Sequence, residues 1–157
     1  MSHDWTDPST LTQIVVARRS PEDKVAAAVF LVDLGCLGVK SAFAELCPST
    51  RAYEQGLRER ISATQRLDRT ELNLAAKVIR DGLAYADDLG FKPDADYYEA
   101  AILLEGADPD AERTTVPLGL NGKPFFIAGP YDDARRIVAQ LARAIGAGNF
   151  EATVFME

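Results

Sequence analysis

Residues 25–33 have the sequence VAAAVFLVD, in which every position before the final aspartate is apolar. A strand covered on one face alternates apolar and polar side chains, whereas a strand covered on both faces has no such alternation. The β-branched and aromatic residues, with Pro21 before the run and Gly35 after it, favour a strand over a buried helix. The run therefore predicts a central β-strand that is covered on both faces.

A second strand-like run, LTQIVVARR at residues 11–19, precedes this one. The two runs are joined by the five residues 20–24, SPEDK, whose serine, proline and aspartate are typical of turns. We therefore predict a β-hairpin formed by residues 11–19 and 25–34.

After this hairpin, apolar residues recur at helical spacing in four successive segments. In the third segment, Asp68 and Glu71 have the spacing of a capping box. The predicted helices begin near Gly38, Ser49, Asp68 and Asp94, and they end near Pro48, Ile61, Gly90 and Gly106.

A second hairpin is predicted further along the chain. Apolar residues alternate over residues 116–120 and again over residues 125–127. Asn121-Gly122 between them suits a two-residue type I′ turn. In that register Leu118 faces Phe125.

A last helix and a last strand complete the predicted fold. Asp132 or Asp133 caps the helix, Gly146 ends it, and residues 150–155 have the pattern of a strand. The predicted class is α+β, with a mostly antiparallel sheet of two hairpins plus a C-terminal strand, packed with four or five helices.

The composition limits the possible partners and compartments. The formal net charge is −7 over 157 residues, with the acidic residues spread along the chain, which disfavours nucleic acid as a partner. The start of the chain lacks the pattern of a signal peptide, and no apolar run is long enough to span a membrane. Cys36 and Cys47 lack the spacing of a disulfide framework. We therefore predict a cytoplasmic protein with a flexible leader at residues 1–10 and a single domain at residues 11–157.

Asp33, at the end of the central strand, is the first candidate for a catalytic or metal-binding group. Metal-dependent nucleases need several convergent carboxylates. The candidate carboxylates are Asp87, Asp88, Asp132 and Asp133, which also suit helix ends or caps, and the hydrolase hypothesis uses Lys40 with Asp132 or Asp133. The alternative is a strand-end carboxylate that accepts hydrogen bonds from nearby backbone amides.

Residues 35–40, GCLGVK, are placed like a phosphate-binding loop, between a predicted strand and a predicted helix. Val39 separates Gly38 from Lys40, so the spacing differs from that of a Walker A loop. Two interpretations stay open: the binding of an anion or nucleotide by free amides at the helix start, or a tight turn made by two glycines.

Cys36, beside the same predicted helix start, is a candidate nucleophile if its pKa is lowered there. The one histidine is His3, so no Cys–His pair, Ser–His–Asp triad or multi-histidine zinc site is available. The alternative for Cys36 is a small buried hydrophobic residue. We predict no bound metal and no cofactor.

The segment from Gly122 to Asp133 places aromatic and acidic residues around the second predicted hairpin. Phe125 and Phe126 point to opposite faces of a strand, so one of them is a candidate for exposure unless both faces are packed. The candidate binding residues are Phe125, Tyr131, Asp132 and Asp133.

Two sequence blocks carry a family resemblance: VFLVDLGCLGVK at residues 29–40 and GKPFFIAGPYDD at residues 122–133. They resemble an uncharacterised family of bacterial proteins over about residues 13–150. The resemblance implies a bacterial, non-secreted protein. It implies no activity, and no functional residue is carried over from it.

The sequence holds no complete catalytic set, and we predict a non-catalytic protein-binding or accessory module. The acidity is compatible with a basic ligand or partner and with a role in solubility alone. Two alternatives stay open. One is a metal-dependent hydrolase or nuclease that uses Asp33 and Lys40, and the other is a nucleotide or anion binder at the turn of residues 35–40.

Overall fold

The computed structural model describes residues 1–155, and its larger sheet has three antiparallel strands in the order β1-β2-β3. These strands are β1 (Thr12–Arg19), β2 (Val25–Asp33) and β3 (Gly38–Cys47). β2 lies in the centre of the sheet and pairs with β1 along its length. The predicted first hairpin and the central place of its second strand are confirmed.

The helix predicted from Gly38 to Pro48 was wrong, because these residues form β3 and pair with β2. Val39, Phe43 and Leu46 do have helical spacing in the sequence. However, the backbone groups on the second side of β2 need hydrogen-bond partners, and a third strand supplies them.

A β-bulge in β3 hides the alternating pattern of the strand. Val39 pairs with Val32 but Ser41 pairs with Leu31, so Lys40 is an extra residue without a partner in the register. The extra residue reverses the faces of all later side chains relative to an unbulged strand. No single alternation therefore runs through the sequence of β3.

Five α-helices are present among the described residues, some of them short or continued by other helical turns. They are α1 (Thr50–Tyr53), continued by a π-helical turn (Glu54–Arg58) into α2 (Glu59–Ser62), α3 (Leu72–Asp88), α4 (Tyr97–Ala100), continued by a 3₁₀ turn (Ala101–Leu104), and α5 (Ala134–Ile145). A further 3₁₀ turn spans Pro109–Ala111.

Helices cover both faces of the three-stranded sheet. One core cluster joins the first face to α3 and α4 and includes Ile14, Ala28, Phe30, Val78, Ile79 and Ala100. Another joins the opposite face to the π-helical turn and includes Ala27, Val29 and Leu57. The double cover explains why β2 is apolar at nearly every position.

The start of α3 differs from the prediction. Glu71 is its N-cap residue, and no side chain caps the helix there. Asp68 bonds instead to the side chains of His3 and Arg66, and its carbonyl accepts a hydrogen bond from the amino group of Met1. These contacts hold Asp68 outside the helix, so the predicted capping box with Glu71 was wrong.

The second predicted hairpin forms only at its turn. Asn121 and Gly122 have φ of 52° and 76°, and Leu120 and Lys123 exchange backbone hydrogen bonds of 2.8 and 3.0 Å. Positive φ at both central residues is the signature of a type I′ turn. The predicted turn chemistry is therefore found, but the strands that should extend from it are not.

The strand after this turn has a different partner from the predicted one. β4 (Phe125–Ile127) pairs in parallel with β5 (Glu151–Thr153), so Leu118 does not face Phe125. The amides of Gly119 and Phe125 donate to the carbonyls of Leu34 and Gly35. These bonds draw both segments onto the turn between β2 and β3, which the local sequence pattern does not reveal.

The C-terminal helix and strand are confirmed. The Asp133 carboxylate accepts a hydrogen bond from the Arg136 amide at 3.1 Å and caps α5, which ends before Gly146. Ile137 and Leu141 of α5 pack with Phe126 in a third core cluster.

Residues 1–10, predicted as a flexible leader, have contacts with the rest of the fold. Met1 and Ser2 are buried. The Ser2 amide donates to the Gln13 carbonyl at 2.9 Å, and the Gln13 amide donates to the Ser2 hydroxyl at 2.7 Å. The first residues therefore lie beside the outer edge of β1.

The predicted α+β class with mostly antiparallel strands is confirmed. No helix within residues 1–155 is both long enough and apolar enough to cross a membrane. The last two positions of the predicted domain, 156 and 157, lie outside the described residues.

Candidate functional site

The turn between β2 and β3 is closed by the side chain of Asp33. This residue is only 7% exposed, and its Oδ1 accepts hydrogen bonds from the amides of Gly35 at 2.7 Å and Cys36 at 3.1 Å. The carboxylate therefore has the structural role that we kept as the alternative to metal binding.

Lys40 is the bulged residue of β3, and the bulge brings its side chain to Asp132. The Lys40 Nζ lies 2.8 Å from the Asp132 Oδ2, with the two side chains 16% and 11% exposed. The same oxygen accepts a hydrogen bond from the Gly129 amide at 2.8 Å. This ion pair ties β3 to the turn before α5, so Lys40 and Asp132 are drawn together from distant parts of the sequence.

A small cleft of about 180 Å³ lies over this cluster. Asp33, Lys40, the segment Pro8–Leu11 and the segment 127–129 line it. Burial raises the pKa of Asp33 above its ordinary value, while the two amide hydrogen bonds and Lys40 oppose that rise. Asp33 and Lys40 thus line one cleft, and Lys40 pairs with Asp132.

The geometry does not favour metal chemistry at this cluster. Asp33 bonds to amides, Asp132 bonds to Lys40, and Asp133 caps α5. Within residues 1–155 no group of three or more histidine, cysteine, aspartate and glutamate side chains is placed to hold a metal ion. The hydrolase alternative therefore stays a prediction without a supporting ligand set.

The anion-binding interpretation of residues 35–40 had a wrong structural premise. A strand follows this turn, so no helix N-terminus is present to attract an anion. The amides of Gly35 and Cys36 are not free either, because both donate to Asp33. The turn matches the alternative interpretation of a tight connection.

Cys36 is fully buried, at 0% exposure, in the cluster that contains Leu37 and Phe126. Burial raises the pKa of its thiol well above the ordinary value. A thiol held in its protonated form is a poor nucleophile. The structure therefore fits the interpretation of Cys36 as a buried hydrophobic residue.

The four predicted binding residues differ in exposure and in their contacts. Tyr131 is 99% exposed, while Phe125 is half-buried and its neighbour Phe126 is fully buried. Asp132 and Asp133 are engaged in the ion pair and the helix cap described above. Tyr131 is the one aromatic side chain of this set that faces solvent freely.

A larger apolar groove lies elsewhere, at the open end of the sheet between β2, β3 and the 3₁₀ turn after α4. It has a volume of about 620 Å³. We call it the acidic groove because three glutamates are among the residues that line it. Its lining includes Ala26, Ala44, Glu45, Leu46, Glu99, Ile102, Leu103 and Glu105. Leu46 and Ile102 are 82% and 67% exposed.

The sheet and the 3₁₀ turn together form the walls of the acidic groove. Ala26 pairs with Leu46, and Ala28 pairs with Ala44, so these side chains lie on one face of the sheet. The small alanines leave a trough, because they fill less space than the larger side chains deeper in the core. Ile102 closes the trough from the other side.

Negative charge predominates around the acidic groove. Glu99 and Glu105 form no ion pair within the described part of the chain, and Glu45 pairs with Arg60 at 3.4 Å. Arg18 also lines the groove, but its guanidinium donates to the carbonyls of Leu103 and Glu105. Two glutamates with no ion pair among the described residues, Glu99 and Glu105, thus lie beside Arg18. Glu45 stands opposite Ala27 in the register of the sheet and so lines only the edge of the groove.

Sequence reasoning missed this groove, because the helix predicted from Gly38 placed Leu46 in a buried stripe with Val39 and Phe43. The bulge at Lys40 interrupts the alternation of β3, so the sequence holds no clear local signal for the groove.

Comparison with known proteins does not transfer a role to this chain. No protein-family model, curated protein or solved structure matches it significantly. The resemblance of residues 29–40 and 122–133 to a bacterial family therefore stays a prediction from the sequence. The function has to be argued from the geometry of the two sites.

Proposed function

We propose that the protein is a non-catalytic binding module whose acidic groove takes a basic amphipathic helix of a partner protein. The observation that supports this most directly is the pair Leu46 and Ile102, which are exposed on two different elements and face one groove. Large apolar side chains that share a concave surface mark sites of interaction.

The size of the groove suits a helical segment. Helix-binding grooves take apolar side chains at helical spacing from one face of the ligand. Burying Leu46 and Ile102 fully would contribute about 1.5 to 3 kcal/mol each. A groove of about 620 Å³ has room for a few such side chains of a partner.

The charges around the acidic groove favour a positively charged partner. Glu45, Glu99 and Glu105 line its rim, and the whole chain has a net charge of −7. Complementary charge steers encounter and rejects partners of like charge. A ligand with lysine or arginine around an apolar stripe fits this arrangement.

The proposal is tested with a designed helical peptide that has leucines at i, i+3, i+4 and i+7 and lysines elsewhere. We expect binding with a Kd on the order of micromolar by fluorescence anisotropy. The same peptide with glutamate in place of lysine should bind at least about tenfold more weakly at low salt.

Variants of the protein locate the binding to the groove. Leu46→Ser combined with Ile102→Ser should weaken binding of the lysine peptide at least about tenfold. Tyr131→Ser removes a large, exposed aromatic side chain outside the groove and serves as the control. Equal binding by the wild type and the double variant, at unchanged Tm, would contradict the proposal.

A further inference from the structure

β1 is an edge strand, and one side of its backbone is open. The order of the sheet is β1-β2-β3, so only one side of β1 pairs with another strand. Gln13 shows which backbone groups point outward, because it bonds to Ser2 and not to β2. Backbone groups alternate in direction along an antiparallel strand, so those of Val15 and Ala17 also point outward.

The outward groups of Val15 and Ala17 have no backbone partner within residues 1–155. An unpaired edge of this kind is a template for pairing with another extended chain, and folds commonly block it. Here only the beginning of the edge is blocked, at Gln13, by Ser2.

The open part of the edge lies in a groove of about 500 Å³, which we call the edge groove. Five consecutive residues of β1, from Ile14 to Arg18, line it, so the groove follows the strand itself. Tyr53 lines one side, and Leu67, Leu72 and Ala75 line the other. The apolar walls leave space for side chains on both faces of an added strand.

Ser2 already occupies the first position of this space. Its amide and hydroxyl both bond to the backbone of Gln13, and it also forms an antiparallel bridge with Leu67. A single residue, Ser2, thus lies between Gln13 of β1 and Leu67 at this end of the groove.

The charge of the edge groove is opposite to that of the whole chain. Its lining includes three arginines and a single acidic residue, Asp68, which is paired with His3 and Arg66. Arg58 lies 4.0 Å from Glu54, and the Arg18 guanidinium donates to the carbonyls of Leu103 and Glu105. Arg69 has no ion pair within the described residues. A locally basic groove on a chain of charge −7 favours an acidic partner.

We infer that the edge groove is a strand-addition site, at which an extended peptide segment with acidic side chains pairs with Val15 and Ala17. Main-chain hydrogen bonds to the edge supply affinity in this mode of recognition, and the side-chain positions supply specificity. The site is separate from the acidic groove, and the two take partners of opposite charge and different conformation.

The test uses a blocked peptide of alternating valine and glutamate as the probe, with backbone hydrogen exchange of the protein measured by NMR. The amides of Val15 and Ala17 should exchange at least about tenfold more slowly when the peptide is bound. A peptide with lysine in place of glutamate, and one with alternate amides N-methylated, should both give little protection.

Two variants localise the effect. Ala17→Pro removes an outward amide without removing a bond to β2, and it should weaken binding at least about tenfold. Ala17→Val keeps the amide and is its control. Arg69→Glu should weaken binding of the glutamate peptide severalfold and improve binding of the lysine peptide. Should Ala17→Pro fail to fold, the N-methylated peptide and Arg69→Glu still test the site.

Three results would overturn the inference. The first is unchanged exchange of Val15 and Ala17 in the presence of excess peptide, and the second is equal binding of the glutamate and lysine peptides. The third is protection of these amides that rises with protein concentration alone, together with a dimeric mass in sedimentation. That result would assign the edge to a second copy of the chain.

Discussion

At Gly35 the surrounding backbone leaves no space for a side chain. A Cβ built there would lie 2.4 Å from the Phe125 carbonyl oxygen and 3.0 Å from the Asp33 Oδ1. The Gly35 carbonyl also accepts the hydrogen bond from the Phe125 amide. The turn between β2 and β3 and the start of β4 thus depend on this one residue.

Gly35→Ala should lower the free energy of unfolding by about 1 to 3 kcal/mol, because the closest contact is with a backbone carbonyl oxygen and cannot be relieved by a rotamer change. Urea denaturation measures the change. Gly56→Ala is the matched control, since a Cβ at Gly56 meets nothing within 4 Å. The control should leave stability unchanged or raise it by up to about 1 kcal/mol.

The free energy of unfolding should depend on pH through the ionisation of Asp33. Its pKa is raised above 3.8 in the folded state, mainly by burial, so folding favours the protonated acid. The contribution of Asp33 is therefore most favourable below 3.8 and declines as the pH rises through the raised pKa. Above that range the buried carboxylate opposes folding by a constant amount.

Asp33→Asn should remove this dependence, because the amide oxygen still accepts from Gly35 and Cys36 but does not ionise. Relative to the wild type, the variant should gain stability as the pH rises from 3.8 through the raised pKa of Asp33. Urea denaturation at several pH values measures the difference. A difference that is constant with pH, or that falls as pH rises, would contradict this assignment.

At the scale of elements, the sequence specifies regular local patterns well, and it specifies irregular strands and contacts between distant segments poorly. The first hairpin follows from two apolar runs and the turn residues between them. β3 follows β2 directly in the chain, but the bulge at Lys40 hides its alternation. The position of β4 depends on the carbonyls of Leu34 and Gly35, which lie far away in the sequence.

The candidate sites were also predicted only in part from the sequence. Asp33, Lys40 and Asp132 were predicted together, because each lies at the end or start of an element with a charged side chain. The acidic groove was not predicted, because its apolar pair, Leu46 and Ile102, is assembled only when β3 is a strand beside the 3₁₀ turn. Exposure on a surface shared by two elements leaves no local pattern.

The ion pair between Lys40 and Asp132 links two elements and should contribute to stability. Lys40→Met should lower the free energy of unfolding by about 1 to 3 kcal/mol, since it leaves a largely buried carboxylate with one amide donor. In a double-mutant cycle with Asp132→Asn, the two losses should be clearly less than additive. Additive losses would mean that the pair is not coupled.

A matched control for this prediction is Lys92→Met. Lys92 pairs with Asp87 at the surface, where both side chains are mostly exposed, 79% and 61%. Surface ion pairs contribute little to stability because solvent and salt screen them. The control variant should therefore have the same urea midpoint as the wild type.

At the scale of the whole molecule, the distribution of charge matters more than its sum. The net charge of −7 describes neither groove fully, because the acidic groove has three glutamates and the edge groove has three arginines against one aspartate. Arg18 lines both grooves. Each proposed ligand has a charge opposite to that of its groove, so higher salt should weaken the binding of both ligands.

The bulge at Lys40 has a consequence for how this fold can change. If β3 kept its length but continued without the bulge from the pair Val39 and Val32, Val25 and not Ala26 would stand opposite Leu46, and the leucine would move to the face covered by the π-helical turn. Glu45 would then stand opposite Ala26 and take the place of Leu46 in the trough. Deletion of Lys40, by contrast, would leave Leu46 opposite Ala26, so a bulge between Val39 and Ser41 is a tolerated insertion that leaves the apolar recognition surface intact.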